Sequence, residues 1–125
     1  MLRKNLLLAF SALLLAGCAT TLTNLTPLYQ TRNDNNLYPV EVALSTRQQT
    51  MRWRSIHPQI VVGSEIYEMR QTLLMTNRWE GLVPVPPGVE VVHYRYKFNF
   101  MENAFGPPQP NSVISRDYTL HVVNQ

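Results

Sequence analysis

One cysteine, five glycines and a charged fraction of 15% constrain this 125-residue chain before any motif is read. A lone cysteine, Cys18, closes no intrachain disulfide. The folded part must therefore stand on its core alone, for which about 100 residues suffice. There is no Gly-x-Ser-x-Gly turn to expose a nucleophile, and no glycine-rich loop to cradle a phosphate. The eight carboxylates are scattered, whereas general acid–base work needs two that meet. His57, His93 and His121 are widely spaced and have no cysteine beside them, so they do not read as metal ligands. The expectation is a non-enzyme that holds neither cofactor nor metal. The formal net charge is +3, and two of those positive charges are Arg3 and Lys4 at the extreme N-terminus. A domain so near neutrality is not expected to bind nucleic acid.

What is present begins with those two basic residues. The apolar run Leu6–Leu15 follows, about ten residues long and too short to span a bilayer. It ends in Leu15-Ala16-Gly17-Cys18. This order of basic flank, apolar core, small residues and cysteine resembles the lipobox of bacterial lipoproteins. The resemblance implies a signal peptide over residues 1–17, removed by cleavage, and acylation of Cys18. Acyl chains hold a protein on a membrane at roughly 0.8 kcal/mol per buried methylene. Ala19 in place of Asp implies, by the same resemblance, the outer membrane. Cleavage leaves 108 residues carrying +1. Residues 18–36 are rich in Thr and Asn and lack sustained periodicity. They are expected to be a lipidated tether, in which the spacing of Leu22, Leu25, Leu28 and Tyr29 also allows a short helical turn or a docked arm.

Residues 37–125 read as the domain. Its organising stretch is Val89–Met101. Val92, Tyr94, Tyr96, Phe98 and Phe100 alternate with His93, Arg95, Lys97 and Asn99, the period of a half-buried strand. Tyr38, Val40, Val42 and Leu44 share a face of a second strand. Further strands are expected at Thr50–Ser55, Ile60–Val62, Ile66–Met75, Trp79–Val85 and Tyr118–Val123; Ile66, Met69, Arg70 and Leu73 also fit a helical stripe, less well. Pro86-Pro87-Gly88 supplies a turn, and the prolines of 103–111 a stiff connecting loop. No amphipathic helix is evident. The expectation is an all-β, immunoglobulin-like sandwich of six to eight strands, with a small Greek-key barrel as the alternative.

The stretch Trp79-Glu-Gly-Leu-Val-Pro-Val-Pro-Pro-Gly88, with the following Val91–Phe98 strand, resembles starch- and glycogen-binding modules. There a tryptophan, a proline–glycine turn and a Tyr-Lys-Phe strand recur in this order. The resemblance implies a sandwich and, as an alternative function, a carbohydrate-binding module for which Trp79 offers a stacking ring. The chain as a whole resembles small bacterial lipoproteins, which bring no activity with them. The first expectation is a lipid-anchored envelope protein, outer-membrane located, with a structural or protein-binding role. Trp79 and the basic row His93, Arg95 and Lys97 are the candidate contacts, to a partner protein or a glycan. Arg52 and Arg54 are expected to extend that row. Trp53 shares a face with Met51 and is expected in the core.

Overall fold

The computed structural model describes residues 20–124. Ten strands run in order: β1 (Thr20–Asn24), β2 (Tyr29–Thr31), β3 (Leu37–Thr46), β4 (His57–Val62), β5 (Glu65–Glu68), β6 (Arg70–Gln71), β7 (Arg78–Pro84), β8 (Val91–Glu102), β9 (Gln109–Ile114) and β10 (Tyr118–Val123). Among the described residues the one helical element is a 3-10 turn, Trp53–Ser55. The strands form two sheets. One has four strands in the order β1-β3-β7-β6; the other has six, β2-β10-β8-β4-β5, with β9 also paired to β8. All pairs are antiparallel except β2 with β10. This is the expected all-β, immunoglobulin-like sandwich, with ten strands where six to eight were expected. Cys18 and the signal segment 1–17 lie outside the described residues.

The core forms where the two inner faces meet. Tyr38, Val40, Val42 and Leu44 of β3 oppose Val92, Tyr94, Tyr96, Phe98 and Phe100 of β8, and all are buried. The long alternation read from the sequence is therefore the central strand of the larger sheet. Pro39 is tolerated in β3 because β1 pairs only from Val42 onward, so the missing N–H breaks no ladder bond on that side.

Residues 18–36 are not a free tether over their described length. Thr20–Asn24 pairs with Val42–Thr46, and Tyr29–Thr31 pairs with His121–Val123. Arg32 donates from its guanidinium to the carbonyls of Val85, Pro86 and Val89. Such strands are polar and short, and they hold by backbone bonds that side-chain periodicity does not report. The 103–111 loop is likewise shorter than expected. From Gln109 onward it is an edge strand against Met101 and its neighbours, and Pro110 lies on it where only one side is paired. Ile66–Met75 is not one strand. It breaks at Met69, crosses from the six-stranded to the four-stranded sheet, and ends in a turn that leaves Leu73 exposed.

A polar network ties the two sheets through the core. The Tyr96 hydroxyl donates to Asn24 Oδ1 at 2.7 Å, and Asn24 Nδ2 donates to the Tyr94 hydroxyl at 3.0 Å. Thr26 Oγ1 lies 3.1 Å from the Tyr96 hydroxyl. Burial pushes the Tyr96 phenol well above its ordinary value of 10.0, against a smaller opposing effect of the Thr26 hydrogen bond. The unfolded chain ionises near that ordinary value and the folded chain does not. The stabilisation is thus full below about pH 10 and is lost above it, at about 1.4 kcal/mol per pH unit. Urea melts between about pH 9 and 11 should show this fall. Tyr96→Phe should flatten it; an unchanged slope in that variant would refute the assignment.

Candidate functional site: an open sheet edge and its groove

Trp53, expected in the core, is exposed, and Trp79, for which a core edge and a contact surface were equal expectations, is buried. After Met51 bridges to Glu102, the chain turns into Trp53–Ser55 instead of continuing as a strand. Residues two apart then no longer share a face. Trp53 is 43% exposed. Trp79 stands in β7 opposite Val42, faces the other sheet, and is 5% exposed. Its ring meets Phe98 edge-on at 5.2 Å and stacks under Trp53 at 6.4 Å. Trp79 is therefore a core residue and no contact surface.

The basic row is real but flat. His93 and Arg95 are exposed and Lys97 is half-buried, on the outer face of the six-stranded sheet. His93 Nδ1 lies 3.1 Å from the Thr119 hydroxyl, and His121 stacks on Tyr29 at 4.9 Å. The two histidines sit on adjacent strands, each with its own partner, and do not meet. Among the described residues the ion pairs are His57–Glu68 at 2.7 Å and Arg70–Glu80 at 3.2 Å, and neither involves the row. Arg52 is not part of it: its Nε donates to Asn103 Oδ1 at the end of the sandwich. Among the described residues no three of His, Cys, Asp and Glu gather as metal ligands.

One groove among the described residues lies elsewhere, where β5 crosses to β6. β6 pairs with β7 only at Arg70–Glu80 and Gln71–Trp79. Met69 then leaves, donating its N–H to the Pro58 carbonyl of the other sheet. Beyond Glu80, no strand among the described residues covers this side of β7. The result is a groove of about 640 Å³. Pro39, Ile66, Met69 and Leu82 are its apolar lining, with Arg70, Glu80 and Glu68 at the rim. Leu82 and Ile66 are each about half exposed. At the rim Arg70 pairs with Glu80, and His57 Nε2 lies 2.7 Å from a Glu68 carboxylate oxygen. Gly81 permits the closure of this corner. A β-carbon there would stand 2.7 Å from Ile60 Cδ1 and 3.3 Å from the Glu68 carbonyl oxygen. Which edge stays open follows from the sheet switch at Met69, and no residue-level signal announces that.

No protein-family model matches the chain, and no curated protein matches it. Among solved structures, a DUF4785 family protein from Legionella pneumophila aligns with a TM-score of 0.45 and 9% identity over 82% of this chain. The aligned part is 28% of that protein, so the chain spans little more than a quarter of its length. Murine CRIg aligns with a TM-score of 0.43 and 12% identity, over 84% of this chain and 98% of its own.

Proposed function

We propose that this protein is a lipid-anchored, non-catalytic β-sandwich of the bacterial cell envelope, placed at the outer membrane. It binds an extended, largely uncharged segment of a partner protein along the free edge of β7. The open edge beyond Glu80 carries the reading. Unpaired strand edges offer backbone donors and acceptors to an added strand, and adjoining pockets select its side chains. The groove is of ordinary ligand-site size. Its rim carboxylates are both engaged, Glu80 by Arg70 and Glu68 by His57, which leaves the apolar lining to select the segment. The glycan alternative drew on Trp79, which is buried. Trp53 offers one ring, and one face of it is covered by Trp79.

Two measurements test the proposal. Palmitate label is expected on the wild-type chain and absent from Cys18→Ala; label on that variant sinks the anchor. A photoreactive residue at position 66, in intact envelopes, is expected to trap one partner peptide. In the isolated complex, amide exchange at Leu82 should slow by about tenfold or more. Trapping that survives Leu82→Arg, or unchanged exchange at Leu82, sinks the edge.

A further inference from the structure

Four exposed apolar side chains and the incoming chain converge on one end of the sandwich. The register places Thr20 beside Thr46, and the start of β7 beside Ala43. Thr20 Oγ1 also reaches Gln48, whose amide donates to Glu102 at the C-terminal end of β8. Arg52 closes the circuit through Asn103. The turns 47–55, 72–77 and 103–108 therefore all lie at the end where residues 1–19 join the domain. These turns carry Trp53, Leu73, Leu74 and Phe105. Leu73 and Leu74 are 84% and 95% exposed, and Phe105 is fully so. Leu74 also has φ of +64°, a backbone conformation suited to Gly or Asn, yet it bears a large apolar group in water.

The charges at this end point the same way. Arg47, Arg52 and Arg54 are exposed, and among the described residues none is in an ion pair. The acid that faces them, Glu102, is half-buried and accepts from Gln48 and Asn111.

We propose that this end of the sandwich docks on an anionic phospholipid bilayer: the four apolar tips enter the interfacial layer and the arginines meet lipid phosphates. Separate apolar tips beside free cations match the layered chemistry of that boundary, where aromatic rings and arginines both partition. The place where the chain arrives selects a bilayer over a protein. On the proposed reading Cys18 carries the lipid two residues before Thr20, so the anchor joins the sandwich at this end. This surface is distinct from the β7 edge, which lies along the side of the sandwich and stays accessible.

The test uses the purified full chain on vesicles of phosphatidylcholine and phosphatidylglycerol, with bromine on the acyl chains as a quencher. Trp53 emission is expected to fall at least about twofold, because its ring sits at the interface. Trp53→Phe leaves the buried Trp79, whose emission should hardly change. Charge reversal at Arg47 and Arg54, which make no structural bond, should reduce quenching with circular dichroism unchanged. Protein that sediments with the vesicles yet shows no more quenching than Trp53→Phe overturns the docking. Insensitivity to both charge reversals overturns the phosphate contact. Palmitate labelling is read separately: label without quenching sinks the docking and keeps the anchor, and quenching without label does the reverse.

Discussion

Trp79→Ala is expected to lower stability by about 3–5 kcal/mol, the range for removing a buried aromatic ring. Its indole fills the space between Val42 and Phe98 and supports the Trp53 ring above it. Trp53→Ala removes a ring that is 43% in water, so about 1 kcal/mol or less is expected. Urea unfolding monitored by far-ultraviolet circular dichroism separates the two. Equal midpoints for the variants would contradict the assignment of one ring to the core and the other to the surface. The contrast also bears on binding studies. A ligand lost in Trp79→Ala would report lost folding, whereas Trp53→Ala interrogates a surface.

Gly81→Val is expected to cost about 3 kcal/mol, the upper part of the range for overpacking a well-filled core. The new β-carbon meets Ile60 Cδ1, and Ile60 is wholly buried, so it has no free space to move into. The branched methyls then crowd the Glu68 carbonyl and Met69, which form the crossing between sheets. Ile60→Val deletes the methyl first struck. Alone it should cost about 0.5–1.5 kcal/mol. Combined with Gly81→Val it should give less than the sum of the two losses, since contacting residues couple. Strict additivity in urea melts would show that the clash does not set the cost.

The same comparison shows what the sequence could reveal. The β3 and β8 faces were legible because one side of each is buried and the other is wet, so polarity alternates with every residue. β1, β2 and β9 were not. Their pairing bonds are main-chain bonds, and Thr, Asn, Gln and Pro side chains carry no trace of them. Trp53 was misread because Met51-Arg52-Trp53-Arg54 alternates like a strand for four residues, then turns. Trp79 alternates equally well with Gly81 and Val83, and there the strand continues. Short patterns of this kind do not distinguish the two outcomes. The groove was illegible for a different reason: it is made by what fails to pair after Met69, a property of topology.

The first ladder pair, Thr20 with Thr46, has a mechanical consequence. With acylation at Cys18 as proposed, Ala19 alone separates the lipid from the sandwich, a leash of about 7 Å at full stretch. So short a leash gives the body no reach across the envelope. Its clients must travel to the lipid surface, and a force pulling on the anchor is felt at once by the edge of the smaller sheet.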